Sequence, residues 1–286
     1  MVSETLAESP IPETPEWTLV IRPERGLKIF DLSELWLYRE LLFFLTWRDV
    51  SVRYKQTILG ASWAIIQPFM TMVVFSIFFG NLAGVPADGT PYPIFSYTAL
   101  LPWTFFANAM NQAANSLVSD ANLVSKVYFP RLLIPTSRVL GGVVDFLIAF
   151  LLLIVLMVVY EISPRPAILL TPLFFGMAMM ASLAVSLWLS ALNVQFRDVR
   201  YAMPFLTQFL LFLTPIAYPS SLLNEPLRTL YGLNPMAGVV EGFRWCLLGT
   251  PLPEGLVMVS LVVTVVILLS GLYYFHHVED TFADVI

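Results

Sequence analysis

The chain has 286 residues, of which 58% are apolar and 12% charged, with a mean hydropathy of +0.77. That balance excludes an ordinary soluble domain and reads as an integral membrane protein. The formal net charge of -5 says little about partners, because the acids gather at the two ends, at Glu4, Glu8, Glu13 and Glu16 and again at Glu279, Asp280 and Asp284.

Residues 1–30 form an extension in which the first sixteen are acidic and Pro-rich, a composition that favours disorder. Trp17 to Ile21 is short and β-prone, so a small extended element is expected before Pro23 and Gly26. The same region lacks the basic and then apolar order of a cleavable signal. Residues 31–58 read as interfacial, amphipathic helices. Asp31 to Leu45 is helical, with Asp31 or Ser33 as cap, and is apolar all round from Leu41 to Leu45.

From Trp47 to Pro68 a charged amphipathic segment turns into a long apolar one, and no charge follows Ile58 until Asp88. Helical spacing places Trp47, Val50, Tyr54 and Ile58 on one side and Arg48, Asp49, Arg53 and Gln56 on the other, with Lys55 close by. This is the pattern of a helix lying in the headgroup layer, with Gly60 as the turn inward.

Residues 59–275 carry six stretches long enough to span roughly 30 Å of hydrocarbon. They are Ala61 to Phe79, Ile94 to Val118, Leu140 to Tyr160, Ala167 to Leu192, a short Met203 to Tyr218, and Leu256 to Phe275. An even number puts both ends on one side. Twelve of the fifteen basic residues fall on that side, against Arg165, Arg228 and Arg244 on the other, which predicts cytoplasmic termini and a cytoplasmic tail at 276–286. Trp63, Tyr92, Tyr97, Tyr160, Tyr201, Tyr218, Tyr273 and Tyr274 fall near the expected interfaces. The fold class is therefore all-α, with six transmembrane helices, an N-terminal interfacial helix and two short re-entrant helices between spans five and six.

Four constellations invite function. The second span bears Thr104, Asn108, Asn111, Gln112, Asn115 and Ser119 as one polar stripe, which must face either a neighbouring helix or a wet lumen whose amides could slide past sugar hydroxyls. Between spans two and three, Asp120, Asn122, Lys126, Tyr128 and Phe129 form a compact helix at 120–129, stopped by Pro130; it is either a plain connection or a coupling helix. Arg197 and Asp198, between spans four and five, are the second candidate contact. Residues 219–255 are too apolar for a solvated loop and too broken by proline to span, so two short helices are expected at Pro226 to Leu233 and Met236 to Leu248. On the second, Glu241 and Arg244 either neutralise each other or serve an exit gate.

Asp145 is the one acid well inside a span and a functional candidate on that ground, with Arg138 two turns away as its expected partner. No chain of acids or histidines exists to relay protons. No GxxxxGK[ST] run is present, so any ATP is handled by another subunit, and no catalytic set emerges. Cys246, with only His276 and His277 elsewhere, is poor material for a metal site and reads as packing.

The runs RDVSVRYKQTILGASW, LVSKVYFPRLLIP, NVQFRDVRY, TPIAYP and YGLNPMAGVVEGFRW together resemble the permease subunit of type-2 ATP-binding-cassette polysaccharide exporters, which move lipid-linked O-antigen, capsule or teichoic acid chains. The resemblance covers Ser33 onward. It implies a homodimer in the inner membrane, with a channel at the dimer interface, paired with two cytoplasmic ATPase subunits that hold ATP and Mg, and a lipid-linked glycan as cargo. This chain itself would bind no cofactor, metal or nucleic acid. Trp47 to Lys55 would be the interfacial helix and 120–129 the coupling helix. Residues 226–248, with Tyr218, Asn234 and Pro235, would form the exit gate. A capsule or teichoic acid exporter of the same family, a drug- or ion-exporting relative, or a membrane enzyme acting on lipid-linked sugars through Asp145 and Glu241, remain the alternatives.

Overall fold

The computed structural model describes residues 36–55, 60 and 62–282. The expectations for residues 1–30, for the Asp31 or Ser33 cap, and for Gln56 and Ile58 lie outside them. The described residues form helices and no strands. In chain order these are α1 (Arg39–Lys55), α2 (Ser62–Phe75, running into a π-helical turn at Ser76–Leu82), α3 (Tyr92–Ala114), and two short pieces, α4 (Ser116–Ser119) and α5 (Ala121–Lys126). Then come α6 (Leu133–Val159), α7 (Thr171–Gln195), α8 (Val199–Leu213), α9 (Leu227–Leu230), α10 (Pro235–Leu248) and α11 (Glu254–Val278).

Among the described residues, four helical stretches are long and apolar enough to cross a membrane: Ser62–Leu82, Leu133–Val159, Pro166–Gln195 and Glu254–Thr281. Their outward residues, such as Leu151 and Val158 on α6 and Met258, Val262 and Val266 on α11, are apolar and exposed, as a hydrocarbon-facing surface requires. The other two expected spans differ in kind. α3 has 23 residues, but amides, tyrosines and prolines dilute its apolar character, while α8 is apolar and only 15 residues long.

α3 is the hub. It packs against α2, α6, α7 and α10, and a continuous run from Ile94 to Trp103 is buried. Tyr97, expected at an interface, is instead fully buried and donates its hydroxyl to the Ala149 carbonyl on α6, 2.9 Å away. At mid-height Phe105, Phe146, Phe175 and Phe243 bring α3, α6, α7 and α10 together, with Phe146 stacked on Phe175 at 3.9 Å.

α1 is one helix through Leu45 and Trp47, where the sequence suggested two segments. Its facing also differs. Asp49 and Val50 are buried against α6 near Gly141, whereas Trp47 is 62% exposed. The border between the two sides, at Asp49 and Val50, therefore turns inward, where α6 offers Asp49 its partner Arg138. Gly60, just ahead of α2, is a turn residue at φ +40°, a conformation glycine adopts at no steric cost.

α10 is specified locally by Asn234, whose side chain accepts from Met236 N at 3.0 Å, by Pro235 in the first turn, and by Gly249 in the left-handed conformation at the end. Nearly every side chain between Met236 and Leu248 is buried, so it is a core helix inserted among α3, α7 and α11. Gly242 makes that possible: a Cβ there would overlap the Phe174 ring on α7.

Candidate functional site

Polar groups buried among apolar helices must satisfy one another, so their pairings mark the sites worth inspecting. At the end of the bundle that carries α1, Arg48, Asp49, Asp120 and Arg138 form a closed ring. Arg48 Nη2 lies 3.0 Å from Asp49 Oδ1 and 3.1 Å from Asp120 Oδ2; Arg138 reaches the same two oxygens at 3.1 and 2.6 Å. Ser137 adds a long hydrogen bond to Asp49 Oδ2 at 3.4 Å. Burial by itself would lower the basicity of Arg48, but hydrogen bonds and charge from Asp49 and Asp120 outweigh it and push its pKa up. The ring ties α1 to the α4–α5 junction and to the start of α6. Asp120, expected to face a partner, is thus turned into the bundle, while Asn122, Lys126 and Tyr128 point out.

One step deeper, Arg53 pairs with Asp145 and donates to Gln112 Oε1, and the Tyr54 hydroxyl donates to Asp145. The expected Arg138–Asp145 pair does not form, since Arg138 is held by Asp49 and Asp120 and Asp145 is served from α1. Asp145 forms part of the wall of a small cleft between α2, α3 and α6, with Gln67, Thr104, Asn108, Phe105 and Phe146.

The polar stripe of α3 therefore divides. Thr104 and Asn108 face the cleft. Gln112 holds Arg53; Asn111 donates to Thr207 Oγ1 on α8 at 3.0 Å and to its own helix at Ala107; and Asn115 accepts from Asn193 Nδ2 on α7 at 3.2 Å. Ser119 is exposed beyond the helix. Part of the stripe is thus spent on neighbouring elements, while Thr104 and Asn108 line the cleft. The partners Thr207 and Asn193 carried little signal, lying on a short apolar helix and at the end of a long one.

At the opposite end, Arg244 is completely buried. Its Nη1 lies 3.0 Å from Glu241 Oε1, its Nη2 donates to the Ile216 carbonyl at 2.8 Å, and its guanidinium sits 3.6 Å over the Phe95 ring. Glu241 Oε1 also accepts Ser220 N at 3.2 Å. Tyr92 donates to the Ala217 carbonyl at 2.6 Å, Asn234 reaches Leu213 O and Thr214 Oγ1, and Tyr218 bonds Tyr231. The turn at 214–220 is thereby nailed to α3 and α10. Phe95 and Gln112 are seventeen residues apart on one helix, which sets the two clusters about 25 Å apart with the phenylalanine layer between them. Arg197 and Asp198 lie exposed between α7 and α8.

Cys246 is buried. Among the described residues no group of three or more His, Cys, Asp or Glu side chains converges as metal ligands would.

This bundle has recognisable relatives. It is 30% identical over 257 residues to the O-antigen export system permease protein RfbA of Myxococcus xanthus, covering 88% of this chain and 98% of that one. It is 26% identical to the protein of the same name from Klebsiella pneumoniae, over 86% and 95% of the two chains. It is 22% identical to the polysialic acid transport protein KpsM of Escherichia coli, over 82% and 91%. Residues 40–248, from α1 through α10, match the ABC-2 type transporter family. The ion ring, the divided stripe and the buried Arg244 pair all lie within that match, and the chain belongs to the ABC-2 type transporter family as the membrane permease subunit of an exporter.

Proposed function

We propose that this permease exports a lipid-linked polysaccharide of the O-antigen kind, as a homodimer of six-span chains in the inner membrane, with both termini cytoplasmic. Two copies of a cytoplasmic ATP-binding-cassette ATPase, holding ATP and Mg, drive it. The observation that carries the reading is similarity along nearly the whole length of permeases named for O-antigen export, rather than over one shared domain. The small cleft agrees with it, since Thr104, Asn108 and Gln67 offer neutral hydrogen-bonding groups to hydroxyl-rich cargo.

In this reading α1 lies along the cytoplasmic interface and the outward face of residues 121–128 seats in the ATPase. Residues 214–248 close the exit side as re-entrant gate segments. A capsule exporter is the nearest second reading, favoured by the similarity to the polysialic acid protein. The membrane-enzyme reading has nothing to stand on: Asp145 is committed to Arg53 and Tyr54, Glu241 to Arg244, and the two belong to separate clusters.

The test is co-purification with the cognate ATPase, followed by ATP hydrolysis and glycolipid transport in proteoliposomes, with residues 120–129 intact or replaced by a Gly/Ser linker. Vectorial transport that collapses on replacement is the expected result. A chain that purifies alone and moves no glycolipid would sink the proposal.

A further inference from the structure

The segment joining α3 to α6 has two surfaces. Val124 and Phe129 are buried, while Asn122, Ser125, Lys126 and Val127 point outward and Tyr128 is 94% exposed. Its helix, α5, has only six residues, and so short a helix does not hold its shape alone. Something must fix it from beneath.

At the entry, Asp120 is gripped by Arg48 and Arg138. The exit is held by a part of the chain some 150 residues away. Arg131 Nη1 donates to the Glu279 carbonyl, in the short 3-10 turn Glu279–Thr281 that follows α11. The turn is closed by Thr281 Oγ1 donating to Val278 O at 2.7 Å and by His276 against Glu279 at 2.6 Å. Directly after it Phe282 is fully buried, edge-on to Phe275 at 5.3 Å, in the same apolar cluster as Val124, Phe129 and Leu133. The sequence reading made residues 276–286 a cytoplasmic tail and gave it no further role; Phe282 and the Glu279 carbonyl, within it, pack against the bundle.

We propose that the turn at 279–282 is a brace for the coupling segment, with Phe282 as its wedge and Arg131 as its tie, so that a partner pressing on Tyr128 pushes on α11 and α7 as well as on the covalent neighbours α3 and α6. The inference rests on the coupling role assigned above to residues 121–128. Phe282 and Arg131 are positioning residues; neither reaches the exposed surface that Tyr128 presents.

The experiment uses the full chain, as wild type, Phe282→Ala, Phe282→Leu and Arg131→Ala. Amide hydrogen exchange is read on the permease alone, and ATPase binding and hydrolysis on the complex. The brace requires roughly tenfold faster exchange in residues 121–131 for Phe282→Ala and Arg131→Ala, with α3 and α10 unchanged. It also requires a comparable loss of ATPase affinity, and recovery of both in Phe282→Leu. Unchanged exchange in 121–131, or a rise spread evenly over the bundle, overturns it. So does a local rise that leaves ATPase binding at the wild-type level. Should Phe282→Ala fail to fold, Arg131→Ala decides alone, since it removes a tie and no core volume. A wild type that binds no ATPase refutes the coupling role, and the exchange results then still decide whether the brace exists.

Discussion

The two ends of this permease solve the problem of burying charge in opposite ways. At the end bearing α1, two arginines and two aspartates alternate in a ring, in which the arginines keep 32% and 20% of their side-chain surface exposed and the aspartates 3% and 15%. At the other end one arginine and one glutamate are withdrawn from solvent almost altogether, with backbone carbonyls and an aromatic face around the guanidinium and its Nε left without a hydrogen-bond partner. Desolvation separates the two cases. A partly exposed network costs less to form than a dry one, contributes less and responds more to salt. A dry pair costs several kcal/mol per ion to bury, and removing one member leaves the other stranded.

The sharpest way to break the contrast is Arg244→Ala. It strands Glu241 and the Ile216 carbonyl, and should lower stability by about 3–5 kcal/mol in a detergent unfolding titration. Replacing Glu241 and Arg244 together by Gln and Met should recover much of that loss. A loss for Arg244→Ala as small as that of a surface pair would mean that water reaches this end. Gly242→Ala tests the packing that keeps it dry: a methyl group forced against Phe174 should cost about 1–3 kcal/mol in the same titration.

Asp145→Asn falls between the extremes, because Arg53 keeps Gln112 when the carboxylate is lost. We expect a loss of about 1–2 kcal/mol, with glycolipid export in proteoliposomes retained. At the wet end Asp120→Asn should cost about 1 kcal/mol or less, and the difference should shrink as salt is raised. Arg244→Ala should show no such salt dependence, and equal salt responses at both ends would erase the distinction. Smallest of all, Thr207→Val removes the hydrogen bond from Asn111 to α8 and should cost about 0.6 kcal/mol, the usual worth of such a bond between membrane helices.

Much of this architecture is legible in the sequence. The long apolar stretches lie where the helices form, with boundaries shifted by a few residues; α6 begins at Leu133 rather than Leu140 because Pro135 sits in its first turn, where it costs no hydrogen bond. The stripe on α3 is visible from spacing alone, and so is α10 between Asn234-Pro235 and Gly249. The pairings within the site are not. Asp145 has Arg138 seven residues away on its own helix, yet its partner is Arg53, ninety-two residues back, because α1 lies across α6 and two acids already occupy Arg138.

Composition and periodicity determined by themselves that this protein lives in a membrane, where its helices run, and which face of each helix is polar. They do so because lipid leaves the backbone no choice but to satisfy itself within each helix. Family wording added the class of transporter. Only the tertiary structure decided which neighbour each polar face meets. It turned Asp49 and Asp120 inward, sealed Arg244 in a dry shell, gave Asn111 to α8 and Asn115 to α7 while leaving Thr104 and Asn108 on the cleft, and tucked Phe282 into the same apolar cluster as Val124 and Phe129. The physical reason is that a side chain's direction is local, while its partner is set by how whole helices pack: Arg48 and Asp120 lie 72 residues apart along the chain, Arg53 and Asp145 92, and Arg131 and Glu279 148.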